Sequence, residues 1–301
     1  MKAALVVLAV IVAACLLAPV YAARVSGTDP FRPNVLGQVG GADVLAEDAG
    51  GLGTMPIGPG WRGAYVLGAD QLGRDVMARL LYGGRSSLLV AGGATVLCLV
   101  VGVVAGGLAG VFGGMVDGVL SGALDLLWAF PVTLLAISLS LVLLSGPVWV
   151  GPIRVEEDSL VLPMVILGLV FSPYVARPVR AALLALRDAP FIEAARATGG
   201  GRWHVVRRHM LPQLAPLLLG LAPVVAAMAL LTEAALSVLG LGVQAPAASW
   251  GTLIADGQAL LHQRPVVAIA PGLAVVATVL ALNGVSEGWR AGWRGGWRAS
   301  D

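Results

Sequence analysis

An all-α integral membrane protein is the fold class this sequence predicts, and three observations carry the prediction. Hydrophobic residues make up 58% of the 301, while Asp, Glu, Lys and Arg together supply 12%, against roughly 25% in an ordinary soluble domain. Six apolar runs, at 3–21, 87–111, 118–145, 160–179, 214–240 and 265–285, reach or approach the roughly 20 residues that cross a bilayer as a helix. Between the fourth and fifth runs lies a polar island, Pro190 to Pro212. This composition argues against a soluble enzyme, and a net charge of +2 gives no ground for a nucleic-acid partner. Cys15 and Cys98 both sit inside apolar runs, where cysteine behaves as a small hydrophobe, so no disulfide or redox role is inferred.

The first run, behind Met1 and Lys2, is read as an uncleaved first span over residues 1–22. A cleaved leader ending near Val20-Tyr21-Ala22 is the alternative, although the run is long for the core of a signal peptide. Residues 23–85 are polar, rich in glycine and proline, and carry Asp29, Asp43, Glu47 and Asp48; they are placed outside the cytoplasm. Their last part, Leu67 to Arg85, is helical by pattern, with Asp75 spaced to pair with Arg79 on an amphipathic helix at the membrane surface.

Residues 86–287 hold the other five spans. Gly102, Gly106, Gly110 and Gly114 recur every fourth residue, the spacing that lets helix backbones approach closely. Pro131 and Pro271 interrupt the third and sixth spans. Asp125 and Glu233 are carboxylates inside apolar runs, and a charge at the bilayer centre costs at least about 2.5 kcal/mol, so each needs a partner, water or another helix. Trp250 is expected to anchor at the outer interface. The tail, 288–301, places Trp289, Trp293 and Trp297 four residues apart with an arginine after each, an aromatic stripe beside a basic one that suits an anionic inner leaflet, on a helix weakened by glycines.

Loop charges orient the chain. The island and its approach hold Arg187, Arg196, Arg202, Arg207 and Arg208, and the tail adds Arg290, Arg294 and Arg298, whereas the loop before the fourth span sets Arg154 against Glu156, Glu157 and Asp158. Positive loops stay inside, so the island and both termini are expected in the cytoplasm.

Within the island, Pro190 presets a first helical turn, Asp188 is available as a cap, and Glu193 falls where its charge suits the helix dipole. Thr198 and Gly199-Gly200-Gly201 stop this helix after about two turns. Ala194, Ala195 and Ala197 leave it smooth enough to enter a narrow cleft. A second helix, Arg202 to Met210, is expected to rest on Trp203 and Val206 and to end at Leu211-Pro212.

Glu193-Ala194-Ala195, followed by Gly199 and then by Leu211-Pro212 at this spacing between two spans, resembles the EAA loop of permease subunits of binding-protein-dependent ABC importers. Leu67 to Arg85, and Leu231 to Gly257 with its Ser249-Trp250-Gly251 turn, are similar to the dipeptide, oligopeptide and nickel branch of that family. The resemblance covers nearly everything from Leu67 to Glu287. It implies six transmembrane helices in a bacterial inner membrane, with a cytoplasmic coupling helix between the fourth and fifth. It places the ATPase contact in the loop 188–212, at Phe191, Ile192, Glu193, Ala194, Ala195, Gly199, Leu211 and Pro212. The implied partners are a second permease, two ATPase subunits that bind the ATP, an extracytoplasmic solute-binding protein and the surrounding lipid. Glu233 and Asp125 then stand between two roles, lining the translocation path or linking helices near the membrane boundary; for Asp125 the link is favoured. The Trp/Arg tail departs from the branch's short acidic-and-basic ending.

Catalytic signatures do not accompany these features. A P-loop needs a lysine after its glycines, and the only lysine is Lys2. His204, His209 and His262 have no metal-ligand spacing, the first two being expected on different sides of a helix. A membrane enzyme or a scaffold is the competing class. An enzyme should gather polar groups at one depth, and a scaffold should tolerate change at Glu193 and Gly199.

Overall fold

The computed structural model describes residues 1–47, 54–60, 63–144, 148–150, 153–155 and 160–298. Asp48 and the acidic run Glu156 to Asp158 lie outside them. Helices Lys2–Leu16 (α1) and Ala18–Tyr21 (α2), the latter continuing into a π-turn over Ala22–Ser26, make one apolar rod bent by 50°.

Among the described residues of the segment that follows, none is helical before Val76, and strands appear instead, which corrects the all-α expectation to mostly helical. Gln38–Val39 (β1) pairs with Ala42–Asp43 (β2), and Leu45–Glu47 (β3) with Thr54–Pro56 (β4). Gly40 and Gly41, at φ 60° and 85°, make the tight turn that joins the first pair. A third ribbon, Val148–Val150 (β5) with Ile153–Val155 (β6), lies ahead of the fourth predicted span.

No separate surface helix forms over 67–85. Gly68 and Gly73, at φ 83° and 71°, fold the chain into turns, and the helix begins only at Val76. Asp75 caps it, accepting hydrogen bonds from the Met77 and Ala78 amides, and the helix runs on to Phe112 without a break (α3).

The third predicted span divides. Gly114–Ala129 (α4) and Val132–Leu144 (α5) meet at 90°, because Phe130 adopts the extended conformation that a following proline favours. Val161–Val170 (α6) and Ser172–Arg187 (α7) meet at 41°, and α7 runs well beyond the predicted end at Val179.

Then come Pro190–Ala197 (α8), Arg202–Val205 (α9), a π-turn over Val206–Met210, Leu211–Val238 (α10), Trp250–Gln258 (α11) and Val266–Arg298 (α12). Two proline expectations fail. The wide turn ahead of Pro212 accommodates its ring, so helical structure continues from Arg202 to Val238. Pro271 forfeits a backbone hydrogen bond without ending α12.

By length and composition, three helices among the described residues suffice to cross a membrane unaided, Val76–Phe112, Arg202–Val238 and Val266–Gly292, and the three bent pairs would raise the number to six. The α3 helix is central, packed against α1, α6, α7, α10 and α11. Its glycine ridge faces α7: a Cβ on Gly102 would come within 2.5 Å of Val175, one on Gly110 within 2.8 Å of Leu183, and Gly106 lies against the Ala176 carbonyl. Gly114 does not belong to that ridge, because Gly113, at φ 67°, has already turned the chain into α4. At the far ends, Met1 packs on Gly288 and Ala4 on Gly284, so the start of α1 lies beside the last turns of α12.

Candidate functional site

The polar island folds as a short helix standing off the bundle. Ala189, not Asp188, is the residue before the first turn, and it contributes no side-chain cap; its carbonyl accepts from the Ile192 and Glu193 amides, a role the backbone fills without a carboxylate. Ile192 is the buried residue of α8, while Phe191, Glu193 and Ala194 face outward and Ala195 is partly covered. The helix ends as the glycines require. Gly199 sits at φ 83°, the Gly200 amide bonds back to the Ala195 carbonyl at 3.1 Å, and the Thr198 hydroxyl donates to the carbonyls of Ala194 and Ala195.

The second segment differs from its expectation in two ways. Trp203 is 69% exposed, and the expected contact Val206 is joined in the core by Val205 and Met210 instead. The π-turn also widens the coil, so that residues five apart come together: the rings of His204 and His209 meet edge to face at 6.0 Å rather than pointing to opposite sides. Phe191, Ala194, Thr198, Gly199, His204 and His209 are among the residues lining a cavity of about 630 Å³ on the outward side of α8. Pro212, at the other end of the predicted motif, lines a separate cavity with Trp203, Arg207 and Arg208, while Leu211 packs toward the core.

The opposite end of α3 is built differently. Asp75, fully buried, accepts from the Tyr65 amide and the Ser26 hydroxyl besides capping α3, and it does not pair with Arg79. The cap fixes its carboxylate at the helix start, and Arg79 turns instead to Asp70 at 3.5 Å and Asp256 of α11 at 3.0 Å. Arg74 bridges the same two carboxylates at 2.7 and 3.1 Å. Burial pushes the Tyr65 phenol above its usual range, and its hydroxyl donates to the Gly73 carbonyl. Arg264, after α11, donates to the Pro56 carbonyl and so ties the strand segment to the bundle.

Trp250 is no interfacial anchor. It is 1% exposed, its indole N–H bonds to the Leu80 carbonyl at 3.0 Å, and Gly84 leaves the room it occupies. The preceding Ser249 forms a capping box with Thr252 that aims the indole inward.

Both intramembrane carboxylates find partners within the chain. Glu233 is fully buried and accepts from the hydroxyls of Ser87 at 3.0 Å and Ser237 at 2.7 Å, and the Ser87 oxygen in turn accepts from the Trp250 amide. Asp125 meets Arg177 at 2.6 Å, whose guanidinium lies 3.8 Å over the Trp128 ring, and Asp117 meets Arg180 on the same face of α7. The sequence reading missed Arg177 and Arg180. Their one-turn spacing was visible, but partners on another helix are not. In the tail, the Trp289 indole donates to the Pro216 carbonyl at 3.3 Å, so α12 remains docked on α10 there; the side chains of Trp293 and Trp297 lie outside the described ones.

The short exposed helix α8 thus stands between the bent α6–α7 pair and the helical stretch from Arg202 to Val238 in a mostly helical, membrane-type bundle. Residues 102–291 match the family described as the binding-protein-dependent transport system inner membrane component, and the chain belongs to it: it is a permease subunit of an ATP-binding-cassette importer. A candidate peptide permease of Brucella ovis is 35% identical over 263 residues, 87% of this chain and 78% of that one. A candidate peptide transport system permease of Brucella suis is 36% identical, over 75% and 72%. A Sinorhizobium fredii protein named as a peptide ABC transporter permease is 35% identical, over 74% and 72%. Among solved structures, an inward-facing MetNI methionine ABC transporter chain is similar in fold, with a TM-score of 0.56 at 21% identity, covering 71% of this chain and 96% of that one.

Proposed function

We propose that this permease works with a second permease subunit to form a path for peptides, delivered by an extracytoplasmic solute-binding protein and driven by two ATPase subunits, with α8 as this chain's docking helix. The names of the relatives support the cargo class. In this reading each bent helix pair counts as one crossing, which gives six spans in a bacterial inner membrane. The packing of Met1 on Gly288 supports placing both termini on one side, and the arginines of the island and tail put that side in the cytoplasm.

The observation that carries the coupling reading is the two-sidedness of α8: Ile192 is wholly buried, while Phe191, Glu193 and Ala194 are left outside. A helix joined to α7 and α9 by connections of only a few residues transmits a push to the spans, and its exposed face is free for the ATPase. For Glu233 the serine bonds favour a link between α3 and α10 over a lining role, and Arg177 does the same for Asp125.

The test is peptide uptake by the assembled system carrying Glu193→Lys or Gly199→Val. Both variants are expected in the membrane at ordinary abundance and without uptake. Normal transport by both would remove the coupling role. Labelling of a cysteine placed at Arg196 from each side of the membrane checks the orientation independently.

A further inference from the structure

We propose that Arg187, Arg196 and Arg202, which converge on a cavity of about 390 Å³ at the foot of α3, bind the phosphate of an acidic phospholipid headgroup. The three come from the end of α7, the last turn of α8 and the start of α9, so the chain fold alone gathers them. Among the described residues none of them forms an ion pair, and neither nearby carboxylate, Asp188 or Glu193, reaches them. Arg202 uses one N–H on the Val111 carbonyl and lies 4.8 Å over the Phe112 ring, which fixes its plane while the rest of its donor fork stays available. Three guanidiniums without an internal anion, around one cavity, fit a phosphate, whose oxygens each accept from such a fork.

The lining and its direction favour a lipid over a protein carboxylate. Val111 and Phe112, at the end of the α3 helix, and Met210 also line the cavity, so apolar and cationic surface meet there, the pairing that a phospholipid headgroup beside its acyl chains requires. The surface assigned to the ATPase is the cavity lined by Phe191 and Ala194, and the two cavities share no lining residue. One side of α8 would thus face the partner and the other the lipid, which would brace the coupling helix from behind. The site deepens the coupling reading, but only its placement in the cytoplasmic leaflet depends on that reading.

The experiment measures the preference of the full-length chain for phosphatidylglycerol over phosphatidylcholine, by retention of labelled lipid in nanodiscs and by native mass spectrometry. Arg196→Gln, at an exposed side chain, should lower the preference about fivefold, and the triple glutamine variant at positions 187, 196 and 202 about a hundredfold. An Arg207→Gln/Arg208→Gln pair, equal in charge loss to two of the three and outside the cavity, should change it by less than about twofold. Equal preference in the wild type and the triple variant, or equal losses in the triple variant and the control pair, overturns the site. Displacement of the lipid by millimolar inorganic phosphate overturns the lipid as its source. A requirement for added ATPase before the arginines become protected from phenylglyoxal assigns them to the protein partner and also overturns it. Outward exposure of the loop, found by cysteine labelling, would refute the coupling reading while leaving the lipid measurement intact.

Discussion

The two ends of α3 treat charge in opposite ways. Around its first turn, Asp70, Arg74, Arg79 and Asp256 form ion pairs within 3.5 Å, with the buried Arg79 Nε alone left without a hydrogen bond, and Asp75 accepts on both of its oxygens. Beyond its last turn, Arg187, Arg196 and Glu193 make no ion pair among the described residues. Burying paired charges costs desolvation that good geometry must offset, so a closed network holds elements in one arrangement and is sensitive to loss of a member. Open charges at a protein surface contribute little to the fold. The contrast teaches that the first end is a fixed frame joining α3, α11 and the strand segment, and that the second is a surface kept for something else.

The comparison predicts where substitutions destabilise, and Trp250→Ala should produce the largest effect. It empties a fully enclosed site and strips the Leu80 carbonyl of its indole donor, for a loss of about 3–5 kcal/mol. Thermal unfolding of the purified protein should show it as a clearly lowered transition. An unchanged transition would mean that α11 is not part of the frame.

Arg79→Ala should follow closely. Asp70 is 1% exposed and would keep Arg74 as its one counter-charge, and breaking a buried pair costs about 3 kcal/mol. Glu233 sharpens the point more gently. Glu233→Gln keeps one acceptor oxygen for one of the two hydroxyls and sets its amide N–H against the other, which must turn to accept, and it should shift the same melt only slightly. Glu233→Leu leaves those hydroxyls without their acceptor, at about 1–3 kcal/mol. If Glu233→Gln abolishes uptake without moving the transition, the carboxylate serves the path rather than the packing.

How much of this was legible beforehand follows the range of the interactions. The short helix opened by Pro190 and the stop at Gly199 rest on nearest-neighbour chemistry, and the structure reproduces them, whereas of the six apolar runs three form single long helices and three fall on bent pairs. Asp75 paired with Arg79 was the local guess, and it lost to capping and to Asp256, which lies far along the chain and cannot be seen from helical spacing. Trp250 looked interfacial because tryptophan in a membrane protein usually is; its burial depends on Gly84 making room for the ring on another helix, beside Gly83, which admits Ser249 and Leu253. The π-turn that lets helical structure pass Pro212 and brings His204 onto His209 has no one-residue signature. The right angle at Phe130 did have one, in the proline that follows, but a kink and a right angle read alike in sequence.

The smallest effect on stability should come from Phe191→Ala, and it is the most informative for that reason. Phe191 is 45% exposed while its neighbour Ile192 is wholly buried, so one residue of α8 holds the helix down and the next is offered outward. Truncating an exposed side chain away from caps and networks shifts stability by no more than about 0.5 kcal/mol. An aromatic ring that fills a partner's pocket, by contrast, contributes about 2 kcal/mol or more to association. Phe191→Ala should therefore melt like the wild type and reach the membrane normally, yet bind the ATPase at least about tenfold more weakly in a pull-down titration. Wild-type affinity for the ATPase would mean that Glu193 and the alanine face suffice for docking. A lowered melt instead would mean that Phe191 packs on its own bundle, and the division of labour across α8 would have to be redrawn.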